Sequence, residues 1–118
     1  MAVSPVVPTP ELQLSTEKKP EETIVHGVGR ITSATSDLLQ STIRGLIPGA
    51  KRIVLDLAEV NYIDSSGLGA LVSVYMAASR AQCDLELANP KPRIRDLFKM
   101  TRLASVFEGH GENYFGGL

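Results

Sequence analysis

The sequence predicts an α/β fold, a single domain with a four- or five-stranded mixed sheet and helices packed on it, and three observations carry that expectation. Between Thr23 and Phe107 the apolar spacing switches back and forth between a period of two and a period of three to four. Residues 52–57 form a nearly continuous apolar run, as expected of a central strand covered on both faces. The chain has 118 residues, enough for one hydrophobic core and too few for two.

The elements follow in order. Residues 1–10 contain three prolines among Val, Ser, Thr and Ala, which predicts a flexible tail. Leu12 and Leu14 alternate with Gln13 and Ser15, the period of an edge strand, and Lys18-Lys19-Pro20-Glu21-Glu22 makes a turn. Residues 23–29, with Ile24, Val25 and Val28 and a closing glycine, predict a short strand that pairs back as a hairpin. Leu39, Ile43, Leu46 and Ile47 share a helical face, preceded by several Ser and Thr cap candidates and ended by Pro48-Gly49. The strand over 52–57 comes next. After Ile63 the helical period returns with Leu68, Leu71, Val72 and Tyr75 on one face, running to about Ala81. Asp84 to Ala88 alternates as a strand, Asn89-Pro90 breaks the chain, and Ile94, Leu97, Phe98 and Thr101 mark another helix. Val106 and Phe107 offer a last short strand. Gly109 to Leu118 holds four glycines and no helical period. The expected organisation is therefore a tail over 1–10, one domain over 11–108 and a glycine-rich tail over 109–118.

Composition excludes several roles. Twelve basic against thirteen acidic residues leave a net charge of −1, so no global field draws the chain to nucleic acid or anionic lipid. The basic stretch Lys91, Arg93, Arg95, Lys99 and Arg102 reads as a solvated helix face, since its one aromatic, Phe98, belongs to the apolar stripe. The sole cysteine, Cys83, has no disulfide partner within the chain and no companion at zinc-site spacing, which favours a reducing, cytoplasmic setting. No apolar run is long enough to insert in a membrane, and the N-terminus lacks signal-peptide character. His26 lies in a strand and His110 among glycines, so neither predicts a metal site, and no cofactor is expected.

The most informative residues are Asp64-Ser65-Ser66-Gly67-Leu68-Gly69, where a strand ends and a helix begins. Sites gather at such ends, and a helix N-terminus offers unpaired N–H groups with partial positive charge. Gly67 and Gly69 each cost about 1 kcal/mol of helix stability relative to alanine, so a first turn that keeps both needs bare backbone for a close approach. The local pattern leaves two readings open: a docking turn, or a helix capped by Ser65 or Ser66 with glycines that ease strand-to-helix packing.

Val54-Leu55-Asp56-Leu57 followed by Ile63-Asp64-Ser65-Ser66-Gly67-Leu68-Gly69 resembles the signature of bacterial anti-sigma factor antagonists within the wider STAS family, and Leu87-Ala88-Asn89-Pro90 and Arg95-Asp96-Leu97-Phe98 resemble that family's next strand and helix. The resemblance covers residues 12–107. It implies a non-enzymatic binding protein whose serine after the aspartate, here Ser65 with Ser66 as the alternative, is phosphorylated by a kinase that is also an anti-sigma factor. It further implies partner contacts through Asp64, Ser66, Gly67, Leu68, Gly69 and Thr32. Two features depart from the family's pattern. Gly29-Arg30-Ile31-Thr32 stands where a glycine-glutamate-leucine-aspartate motif is common, and the glycine-rich end stands where an amphipathic helix is common.

Other readings compete on particular residues. A STAS module also serves as a scaffold in signalling assemblies or as an accessory subunit of a lipid transporter. Gly67-Leu68-Gly69 at a strand-to-helix turn, with Glu86 downstream, partly mimics a dinucleotide site, but Val72 stands where the third glycine belongs. A serine hydrolase lacks the glycine two places before Ser65 and a triad around it.

Overall fold

The computed structural model describes residues 11–101. The expectations for residues 1–10, for a strand at Val106 and Phe107 and for the glycine-rich end lie outside that span. The elements are β1 (Leu12–Lys18), β2 (Thr23–Ile31), α1 (Ser36–Leu46), β3 (Arg52–Ile63), α2 (Ser65–Arg80), β4 (Asp84–Ala88) and α3 (Pro92–Met100), with a 3-10 turn at Ile47–Gly49 after α1. The described strands form one mixed sheet in the order β1-β2-β3-β4: β1 and β2 are antiparallel, while β2–β3 and β3–β4 are parallel and joined through helices.

Alternation builds the core. Val25, Ile53, Leu55, Leu57, Leu85 and Leu87 point to one face and are buried, and Leu39 and Ile43 of α1, Leu71 and Val74 of α2, and Ile94 and Phe98 of α3 close over them. Burying each such side chain fully is worth about 1.5–3 kcal/mol. The opposite face carries Ile24, His26, Val54, Asp56 and Glu86, all half-buried. This corrects the expectation that β3 is covered on both sides. Its apolar run is half core and half open face.

Both β2 and β3 run past their expected ends. Gly29 does not terminate β2: it takes φ +124°, and a Cβ there would lie 2.1 Å from the Glu11 carbonyl oxygen, so glycine is required for β1 to pair through this point. The β2–β3 register shifts between His26 and Val28 and again between Gly29 and Arg30, and each shift inserts an extra residue in β3. The first bulge is held by Asp56, whose carboxylate accepts from the Ala58 N–H at 3.0 Å. β4 pairs only with residues 52–56 of β3. The C-terminal half of β3 thus projects beyond β4, with α3 packed against β3, and delivers the chain to the start of α2.

Candidate functional site: the head of helix α2

Ile63 is the last inward-facing residue of β3. The chain then turns at Asp64, whose backbone is extended (φ −99°, ψ −175°), and enters α2. Three hydrogen bonds fix that corner. The Asp64 N–H donates to the Ile31 carbonyl at 3.2 Å, the Asp64 carboxylate accepts from the Gly67 N–H at 2.8 Å, and the Leu68 N–H donates to the Asp64 carbonyl at 2.9 Å. Asp64 is therefore the N-cap, and its charge sits where the helix dipole favours an anion.

That finding replaces Ser65 and Ser66 as caps. Both serines are exposed, and neither hydroxyl makes a hydrogen bond among the described residues. Asp64 performs the local structural task, which leaves Ser65 at the first helical position with a hydroxyl open to a second molecule.

The two glycines of the first turn have different reasons. A Cβ on Gly67 would lie 2.1 Å from the Ile31 carbonyl oxygen and 2.8 Å from its carbon, whereas a Cβ on Gly69 would meet nothing within 4 Å. The bare backbone at Gly67 therefore serves the joint between α2 and β2. Gly67 and Leu68 are buried and Gly69 is exposed, so of the expected contact residues in this turn Ser66 and Gly69 face outward. The Gly67 arrangement also removes the basis of the dinucleotide reading, because the Gly67 N–H already serves the Asp64 carboxylate rather than a phosphate.

Thr32 lies across the same joint and is 7% exposed. Its N–H donates to the Thr35 hydroxyl oxygen at 2.9 Å, its own hydroxyl accepts from the Ala34 N–H at 3.2 Å, and the Thr35 hydroxyl donates to the Arg30 carbonyl at 2.9 Å. These bonds lock the turn between β2 and α1 beside the head of α2. Thr32, Gly67 and Leu68 are buried beneath the exposed Ser65, Ser66 and Gly69.

Three features lay beyond the sequence reading. The Arg30 guanidinium stacks over the Tyr62 ring at 4.7 Å, and Tyr62 with Ile63 forms one wall of a groove of about 520 Å3 whose other wall is α3, at Arg93, Ile94, Leu97 and Met100. On the open sheet face, His26 Nδ1 lies 3.0 Å from Asp56 and its Nε2 3.2 Å from Glu17. The hydrogen bonds to Glu17 and then Asp56 raise the His26 pKa above its ordinary value. Burial works to raise the Asp56 pKa, but the Ala58 N–H, the Asn89 amide and His26 outweigh it and hold it below the usual carboxylate range. Finally, burial, with help from Asp84, pushes the Cys83 thiol up and so keeps it protonated and unreactive. The one acidic residue within the apolar run 52–57, Asp56, is the available signal for the second cluster, since a half-buried carboxylate demands partners.

A STAS domain family model matches residues 13–114. The chain belongs to the STAS family. BtrV of Bordetella bronchiseptica, a protein named as an anti-sigma factor antagonist, is 31% identical to this STAS chain over 80 residues, which is 67% of this chain and 69% of that protein. An anti-sigma factor antagonist from Mycobacterium paratuberculosis has the same fold, with a TM-score of 0.72 at 22% identity over 81% of this chain and 82% of that one. The Bacillus cell fate determinant SpoIIAA, solved in its phosphorylated form, superposes with a TM-score of 0.64 at 19% identity, over 79% and 86% of the two chains. At these identities the solved structures establish the shared fold. Among the described residues no three His, Cys, Asp or Glu side chains converge as a metal site, and no helix is long and apolar enough to cross a membrane.

Proposed function

We infer that this STAS chain is an anti-sigma factor antagonist of the cytoplasm that binds an anti-sigma factor with serine kinase activity and is released when Ser65 is phosphorylated. One observation carries the reading: Asp64 caps α2, so the Ser65 hydroxyl stands exposed and without a hydrogen bond among the described residues at a helix N-terminus. The name of the Bordetella relative and the phosphorylated form of SpoIIAA support it.

The kinase supplies the chemistry. The Ser65 oxygen attacks the γ-phosphorus of ATP, a new O–P bond forms as the bond to ADP breaks, and the serine proton passes to a base of the kinase. This chain contributes an accessible nucleophile on a rigid corner and no turnover of its own. A phosphoserine adds about −1.5 to −2 charges. Against the adjacent Asp64 carboxylate, roughly 6 Å away, the repulsion is of order 1–5 kcal/mol at effective dielectric values between water and a protein surface. The helix N-terminus offsets part of it, but Asp64 already occupies the capping position. A partner surface shaped for the neutral hydroxyl also has to accommodate the bulk and desolvation of the phosphate.

The experiment is capture of the partner from the source cell with the full chain, followed by incubation of the purified complex with ATP and mapping of the modified residue by mass spectrometry. An ATPase of the histidine-kinase-like class and phosphate on Ser65 are expected. Phosphate on Ser66 refutes the residue assignment, and capture of transporter subunits in place of a kinase refutes the function.

A further inference from the structure

Three of the described cations, Lys19, Arg44 and Arg52, have polar or ionic partners. Arg52 reaches Glu22 and Glu86 at once, and Arg44 donates to the Ser73 hydroxyl. Arg30 differs. Its Cζ lies over the Tyr62 ring, 4.7 Å from the centroid, and its N–H groups make no hydrogen bond or ion pair among the described residues. A cation–π contact of this kind uses none of the N–H groups as a hydrogen-bond donor to oxygen. The N–H groups around the guanidinium edge stay available in the fixed fork that matches a carboxylate.

The surroundings are those of an interface. Val28, Tyr62 and Met100 are 46%, 43% and 79% exposed, three of the five large apolar side chains so exposed among the described residues. Val28 precedes Arg30 by two residues on β2, and Tyr62 and Met100 line the groove beside α3. The groove is apolar along Ile63, Ile94 and Leu97, with Arg93 and Asp96 at the same wall. Tyr62 is three residues from Ser65, and Ile31, next to Arg30, accepts the hydrogen bond that fixes Asp64. The patch therefore adjoins the phosphorylation corner proposed above.

We propose that Arg30, held on Tyr62, is the specificity contact for the partner: it takes a carboxylate of the anti-sigma factor in a bidentate pair, while an apolar side chain next to that carboxylate enters the groove between Tyr62 and α3. The inference rests on the partner-binding reading of the head of α2 and adds the chemistry of the surface that is recognised. A charge at this position selects among partners, because an acidic surface is attracted and a basic one repelled.

The test uses the kinase identified by the capture experiment, purified, with affinities measured by calorimetry against the full unphosphorylated chain. Arg30→Glu weakens binding tenfold or more with no fall in melting temperature, since the side chain is exposed. Tyr62→Phe keeps the platform and binds as wild type, whereas Tyr62→Leu loses it and binds several-fold more weakly. Reversal of one Asp or Glu on the kinase to Arg restores affinity for Arg30→Glu. Wild-type affinity of Arg30→Glu overturns the proposal while leaving the partner assignment intact. A loss that no charge reversal on the kinase restores overturns the carboxylate contact. A kinase that does not bind the wild-type chain removes both readings together.

Discussion

The two glycines in the first turn of α2 give opposite predictions for the same substitution. In Gly67→Ala the new methyl is placed 2.1 Å from the Ile31 carbonyl oxygen, and reaching an ordinary contact of about 3.4 Å demands a displacement of about 1.3 Å. The atom in the way is backbone, so it has no rotamer to escape into. Overpacking of this kind costs about 1–3 kcal/mol. The shift also strains the Asp64-to-Ile31 hydrogen bond at that same carbonyl, worth about 1 kcal/mol. Against this, replacing glycine within a helix gains about 1 kcal/mol. The net is a destabilisation of about 2 kcal/mol, a fall of roughly 8–16 °C in melting temperature for a domain of this size. Gly69→Ala meets nothing within 4 Å and keeps only the gain, so it stabilises by about 1 kcal/mol and raises the melting temperature by roughly 4–8 °C. Circular dichroism melts and urea titrations of the two variants read both effects. A Gly67→Ala variant that melts at or above wild type would refute the assignment of that glycine to the α2–β2 joint.

Other outcomes follow from the same geometry. Asp64→Ala loses the cap on the Gly67 N–H and is destabilised by about 1 kcal/mol in urea unfolding, while Asp64→Ser restores most of it; equal stability of the two would remove the cap. His26, between Glu17 and Asp56 with Lys19 at 3.9 Å from Glu17, has a folded pKa above its unfolded value near 6.5, so its contribution is complete below that value and is lost as pH rises through the folded pKa. The stability gap between wild type and His26→Gln is therefore wider at about pH 5.5 than at about pH 8.5, and a gap independent of pH would contradict the paired imidazolium.

How much of this was legible depended on whether a residue's reason was local. Asp84–Ala88 alternates cleanly and forms β4 as expected, and the stripe of Leu68, Leu71 and Tyr75 placed α2 to within a residue of its C-terminal end. β3 was read to residue 57 and runs to Ile63 because its two bulges break the period of two: inward-facing Val60 and Ile63 are three residues apart. The sequence reads Gly29 as a terminator, since it does not distinguish a glycine that ends a strand from one whose positive φ lets a neighbouring strand approach closely. The need for bare backbone at Gly67 was visible, but the atom that imposes it, the Ile31 carbonyl, lies on a different element. The same holds for His26, where cross-strand register brings Glu17 and Asp56 to its two nitrogens. Ser65 was selected by resemblance, and only the structure shows that Asp64 relieves it of capping.

The central claim is that a phosphoryl group on Ser65 ends partner binding. Its most direct measurement is the affinity of the purified kinase for the same chain before and after complete, mapped modification of Ser65, with Ser65→Ala carried through the ATP treatment alongside. The account predicts at least a tenfold loss for the modified chain, equivalent to about 1.4 kcal/mol, and unchanged binding of Ser65→Ala in the presence of ATP. Equal affinity of the modified and unmodified chains, with phosphate confirmed on Ser65, would contradict it.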